Sequence, residues 1–209
     1  MNNIYFVGDS HSIIAWFLKP VDHHWFGWAG LPVTMFQFIN NEIPLFNLVE
    51  RYNPGNICNT NIKKNDFVLF SFGWNDVQKN IYKYQKNNYK DFIDNITEKY
   101  VKKIIYLGKK FEIKPIIYCI LPVTENIGNE INGEIKERIE YTNYMNKKLL
   151  YFSNKHDILF LDIYNKVSKD NIYVKEYVDD DMCHLNNKNE HLLQFLEKQI
   201  LNICKNYTN

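Results

Sequence analysis

Short apolar runs, each closing on a turn signal, alternate along this chain with segments of helical periodicity. That alternation restricts the fold more than any other feature. Residues 4–7 (Ile-Tyr-Phe-Val) stop at Gly8, residues 67–72 at Gly73, residues 116–121 at Pro122 and residues 158–161 at Asp162. A weaker run, residues 24–28, lies just before Gly30. These runs are β-branched or aromatic and too short for helices, so they read as buried strands. Between them, residues 88–107 place Phe92, Ile96, Tyr100, Ile104 and Leu107 on one stripe that ends at Gly108. Residues 135–152 repeat Ile135, Ile139, Met145, Leu149 and Phe152, and residues 187–205 repeat Leu192, Leu193, Leu196, Ile200 and Ile203. The last helix is expected to start at Asn186-Asn187, with Glu190 near its positive end. Strands that are apolar throughout and alternate with amphipathic helices predict a three-layer α/β fold of about five parallel strands, both faces covered.

The chain is long enough to make that core. A folded chain of 209 residues buries about 70% of the surface its unfolded form exposes. Hydrophobic residues at 45% and charged residues at 23% exclude a disordered or fibrous chain. No internal repeat or Pro/Gly/Ser-rich linker divides the chain, so one domain over residues 1–209 is expected. A formal charge of +1 gives no global field that would favour nucleic acid or an anionic membrane. Cys58, Cys119, Cys183 and Cys204 form no CxxC pair and read as reduced thiols. The chain opens directly on an apolar strand and has no 18-residue apolar run, so a signal peptide and a transmembrane helix are not expected. A soluble cytoplasmic protein is the expectation.

In a parallel sheet the ligand site lies beyond the carboxyl ends of the strands. There this chain places Gly8-Asp9-Ser10 after the first run, Gly30 after the weaker one and Gly73-Trp74-Asn75 after residues 67–72. Asp181-Met182-Cys183-His184 leads into the last helix. Each piece alone is weak; Gly-Asp-Ser is also a common turn that caps a helix. The ordered set is more specific. It resembles the SGNH hydrolases, or GDSL-type esterases, which carry a Gly-Asp-Ser block, a lone Gly, a Gly-x-Asn block and an Asp-x-x-His block in this order. The resemblance spans nearly the whole chain and implies a flavodoxin-like sheet. His11 departs from it, standing where the family usually has Leu, and the segment from Ser10 to Gly30 is short.

What the resemblance implies has a clear chemical logic. An ester is split most readily through an acyl-enzyme, and a serine hydroxyl needs a base to become a good nucleophile. Ser10 would be that serine, His184 the base, and Asp181 the carboxylate that holds the imidazole in one tautomer. Family resemblance assigns the oxyanion donors to the backbone N–H of Ser10, the N–H of Gly30 and the side-chain amide of Asn75. Losing one such donor typically costs about 10²–10³ in turnover. The elbow motif Gly-x-Ser-x-Gly of the α/β-hydrolases is missing, because residue 12 is Ser.

Other signals point to more ordinary roles. His23-His24 and the cluster around Asp181, Cys183, His184 and His191 lack metal-ligand spacing, so no metal is expected. No phosphate-binding glycine loop is present, and no cofactor is expected. Lys99, Lys102, Lys103, Lys109, Lys110 and Lys114 read as the wet side of a helix rather than a nucleic-acid site. Trp16, Trp25, Trp28 and Trp74 flank the candidate site, either as core packing or as platforms for a sugar. Trp74, between Gly73 and Asn75, is the best placed to bind substrate. Three functions fit: an esterase removing a short acyl group, acetyl above all, from a sugar or other small molecule; an acyltransferase with the same triad; and a non-catalytic binding module. The intact set of Ser10, Asn75, Asp181 and His184 argues against the third.

Overall fold

In the computed structural model, the residues described are 3–18, 26–30, 34–40, 62–125, 133–179 and 184–207. Five parallel strands form one sheet: β1 (Ile4–Gly8), β2 (Phe26–Gly30), β3 (Phe67–Ser71), β4 (Lys114–Tyr118) and β5 (Leu159–Leu161). Their order is β2-β1-β3-β4-β5, the flavodoxin-like arrangement. Every residue of β1 and β3 is buried. Neighbouring side chains on a strand point to opposite faces, so both faces of the central sheet are covered, which is why these strands are apolar throughout.

The helices explain their own sequences. α1 (Met35–Asn40) starts at a capping box: the Gln37 N–H donates to Thr34 Oγ1 and the Thr34 N–H donates to Gln37 Oε1. The short α2 (Ile81–Gln85) continues a helical run out of β3. α3 (Tyr89–Phe111) buries Ile93, Ile96, Tyr100, Ile104 and Leu107, while Phe92 is only half-buried. α3 runs through Gly108 and stops instead at Glu112, which takes a left-handed φ of 52°. The expected stop was placed too early because Glu112, without glycine's freedom, takes over the terminal conformation.

α4 (Ile135–Lys155) begins at a capping box between Glu134 and Glu137. Its buried stripe includes Arg138, Tyr141, Met145 and Leu149, whereas Ile135 and Ile139 are half-buried. Arg138 is buried without a carboxylate partner among the described residues; its guanidinium donates to Gln78 Oε1 at 2.8 Å and to the Thr124 carbonyl at 3.1 Å.

β4 leaves the sheet earlier than the apolar run suggests. Past Tyr118, the side-chain amide of Asn146 serves both the N–H and the carbonyl of Ile120, at 2.7 and 2.8 Å. A side chain on α4 thus replaces the ladder. After β5 come the single-turn α5 (Tyr164–Val167) and a small hairpin of β6 (Ser168–Lys169) and β7 (Ile172–Tyr173). Asp170 and Asn171 form its turn with φ of 53° and 66°, the pair of positive values a tight hairpin needs. α6 (Glu190–Tyr207) is capped by Asn189, whose Oδ1 accepts from the Leu192 N–H at 3.0 Å, rather than by Asn186 or Asn187. Glu190 still sits in its first turn.

Two glycines make opposite predictions. A Cβ on Gly8 would lie 2.1 Å from the Ser71 carbonyl oxygen, a backbone atom that cannot step aside. On Gly108 the nearest heavy atom would be Pro115 Cγ at 3.4 Å, an ordinary contact. Gly8→Ala is expected to lose about 3 kcal/mol or more, and Gly108→Ala to gain about 0.5–1 kcal/mol from helix propensity. Urea unfolding of the two variants checks both signs.

Candidate active site

The site grows out of the strand order. β1 lies between β2 and β3, so the chains leaving β1 and β3 depart in different directions and leave a crevice at their carboxyl ends. Gly8, the last residue of β1, pairs in register with Gly30 on one side and with Ser71 on the other. The next N–H, of Asp9, donates to the Ser71 carbonyl at 3.0 Å. Asp9 then caps a 3-10 helix, Ser10–Phe17, its Oδ1 accepting from the His11 N–H at 3.0 Å.

This turn separates the serines. Ser10 is exposed at the start of the 3-10 helix. Ser12 is buried and its hydroxyl donates to the Asp9 carbonyl at 2.6 Å. Ser71 lies buried within β3. Of the three, only Ser10 is exposed.

The Gly-x-Asn segment is shaped just as tightly. Gly73 has a φ of +118°, and a Cβ there would come within 2.7 Å of Ile120 Cδ1. Trp74 and Asn75 start a helical run that continues as a π-helical turn, Asp76–Asn80. Such turns insert an extra residue and recur at functional sites. Asn75 is half-buried at its head. Asp76 points back under the site, where its Oδ2 accepts from the Met35 N–H at 2.7 Å. That bond ties the start of α1, just beyond Gly30, to the segment carrying Asn75.

His184 is half-buried, held in a bend where the Asp179 N–H donates to its carbonyl at 2.8 Å. An antiparallel bridge between Val178 and Leu185 closes the same loop. The His184 ring lies against His11, centroids 5.0 Å apart, so the C-terminal block meets the residue that follows Ser10. Asp181 lies outside the described residues, as do the other two residues of its block before His184. Trp74 departs from expectation. Its ring is only 6% exposed and packs on His11 at 4.6 Å, so it offers no open platform for a sugar. The sequence shows Asp9 in the Gly-Asp-Ser block, His11 after it and an Asp after Gly-Trp-Asn, but not that Asp9, His11 and Asp76 are all nearly sealed from solvent and form a polar floor.

A family model for GDSL-like lipases and acylhydrolases matches residues 35–193. The chain belongs to that family. The Gly-Asp-Ser block precedes the matched stretch, and the geometry above supplies the link to it. No curated protein matches the sequence. Among solved structures, the chain is similar to a GDSL-like lipase from Bacteroides thetaiotaomicron, at 18% identity with a TM-score of 0.59, covering 96% of this chain and 88% of that one. It is similar to a lipase/acylhydrolase from Enterococcus faecalis, at 15% identity and TM-score 0.57, covering 99% and 97%. A carbohydrate acetylesterase from Sinorhizobium meliloti matches at 14% identity and TM-score 0.58, covering 97% and 100%. Likeness at this level of identity shows the shared GDSL hydrolase fold. Among the described residues no helix is long and apolar enough to cross a membrane, and no cluster of His, Cys, Asp or Glu could hold a metal ion.

The floor makes the stability of this GDSL domain depend on pH. Asp76 is 1% exposed, and its carboxyl is pushed from 3.8 up to about 7. Burial is the main cause; the Met35 N–H opposes it, and the nearby Asp9 carboxylate adds repulsion. Because the folded value is the higher one, folding takes up a proton between the two values. The stability from this group is present below about pH 4 and is lost as pH rises through about 7. Relative to Asp76→Asn, the wild type is expected to lose about 2–4 kcal/mol between pH 4 and pH 7.5, followed by urea unfolding. A difference that does not change with pH would show that Asp76 ionises alike in both states.

Proposed function

We propose that this protein is a serine esterase that removes short acyl groups, acetyl above all, from a sugar or other small alcohol. The observation that carries the reading is the exposure of Ser10 at the crevice while His184 arrives against the adjacent His11. Ser10 Oγ attacks the ester carbonyl and His184 takes its proton. The carbonyl oxygen becomes an oxyanion, met by the Ser10 N–H, the Gly30 N–H and the Asn75 amide. The intermediate collapses, the ester C–O bond breaks, and the alcohol leaves with the proton from His184. Water then repeats the sequence on the acyl-enzyme and regenerates Ser10. Asp181 orients His184 throughout.

The position of Gly30 supports its part. Its backbone runs beside Gly8, two residues before the nucleophile, and neither residue has a side chain to crowd the approach. The carbohydrate acetylesterase among the structural relatives supports the choice of acyl group and alcohol.

A serine-directed phosphonate is expected to label the peptide containing Ser10, and Ser10→Ala to abolish both labelling and hydrolysis. Asp181→Asn should keep the fold and lower kcat by about 10⁴, the loss seen when a triad loses its orienting carboxylate. A phosphonate adduct on another serine, or an Asp181→Asn enzyme of near-normal rate, would refute these roles.

Substrate choice gives a separate test. Acetyl esters should be cleaved faster than long-chain lipid esters, and acetylated sugars should be accepted. Because Trp74 is buried, Trp74→Ala should lower kcat/KM for an acetylated sugar and for p-nitrophenyl acetate by similar factors. A loss confined to the sugar would show that the ring touches the alcohol after all. Product analysis with added alcohol acceptor separates hydrolysis from acyl transfer.

A further inference from the structure

His11 stands out because the reaction as written does not use it. It is 3% exposed, next to the proposed nucleophile, and fixed at two atoms by one carboxylate oxygen. Asp9 Oδ1 accepts from the His11 backbone N–H at 3.0 Å and lies 3.1 Å from His11 Nδ1. That geometry places a proton on Nδ1, donated to the carboxylate. Two aromatic contacts add to the setting: Trp74 at 4.6 Å with a 41° tilt, and His184 at 5.0 Å with a 42° tilt. One buried ring therefore touches both the Gly-Trp-Asn segment and the proposed base. Its anchor Asp9 in turn acts on the buried carboxyl of Asp76 and on the phenol of Tyr100 on α3.

We propose that His11 is a positioning residue for His184: its ring is a fixed aromatic surface on which the base rests and which stabilises the imidazolium formed during acylation. The inference rests on the reading of His184 as the base. An aromatic face attracts a cation lying over it, and the attraction strengthens as the cation loses water. His184 carries its positive charge only after Ser10 gives up its proton, so the contact is stronger in the transition state than before it. An interaction of that kind appears in kcat and not in KM. A leucine at this position would fill the space but provide neither a π face nor a donor for Asp9. The histidine is anchored by a carboxylate of its own turn.

His11→Leu and His11→Phe test the inference together. Leu keeps the volume and removes the ring; Phe keeps the ring and removes the donor. With an acetyl ester, His11→Leu is expected to lower kcat about tenfold at unchanged KM, and His11→Phe to stay within about threefold of wild type. Thermal unfolding confirms that each variant is folded at the assay temperature. Equal rates for wild type and Leu would overturn the proposal. So would a loss with Phe as large as with Leu, or a change in KM alone. Nitrogen-15 spectra of the imidazoles, recorded without substrate, provide the arm that does not depend on esterase activity. The His184 ring signals should move in His11→Leu and largely return in His11→Phe, and unmoved signals would overturn the contact. Inactive wild type with moved signals would place the failure in the esterase reading instead, leaving the ring contact standing.

Discussion

The whole site hangs on the approach of Gly8 to the backbone of Ser71. A Cβ at Gly8 would sit 2.1 Å from the Ser71 carbonyl oxygen, so only glycine lets β1 and β3 stay together to their last residues. The Asp9 N–H then closes the pair with a bond to that same oxygen. Beyond it the two chains diverge because β1 and β3 lie at the point where the strand order reverses. Ser10 and Asn75 are both set within a few residues of that lock. A shift at Gly8 would therefore move the proposed nucleophile and one proposed oxyanion donor relative to each other. A misplacement of about 1 Å can remove a hundredfold in rate.

Beneath the crevice the sheet ends in a polar floor rather than in more apolar packing. Asp9 orders the turn that carries Ser10, and Asp76 ties α1 to the segment that carries Asn75. Two buried carboxyls close enough to repel each other oppose folding when both are charged, and the rise of Asp76 to about 7 records that opposition. What they provide is direction. Asp9 points a lone pair at the His11 N–H of its own turn and Asp76 points one at the Met35 N–H of another segment, and hydrogen bonds fix distances where hydrophobic contacts tolerate sliding. Strain of this sort is expected where a site must be held in one geometry.

Much of this was legible in the residues. The five strands followed from apolar runs that end on Gly, Pro or Asp, and the helical stripes of α3 and α6 from their spacing. Boundaries were less legible wherever a tertiary contact takes over a local signal. Asn146 ends β4 early by bonding Ile120, Glu112 rather than Gly108 ends α3, and Arg138 is buried where periodicity favours Ile139. None of these leaves a trace within a dozen residues of sequence. The hairpin at Asp170-Asn171 did leave one, since both residues tolerate positive φ. At the candidate site, Ser10, Gly30 and Asn75 stand out as motifs after strands and His184 in a block before the last helix, while the burial of Trp74 was not legible, because an aromatic between Gly and Asn reads alike whether it faces the core or the crevice.

The burial of Trp74 changes where selectivity can reside. A ring 6% exposed and packed on His11 cannot stack on a sugar without first leaving the core, and moving it would withdraw the contact that His11 makes with both neighbours. In the proposed reaction Trp74 would therefore act through His11. Recognition of the alcohol would then come from side chains that open to the crevice, whereas the rate of the proposed acylation would answer to the ring stack behind it. Separating the two has a physical advantage. The stack can be rigid, because nothing in it has to adapt to the substrate, and a rigid surface is what an imidazole that gains and loses a proton in each cycle requires.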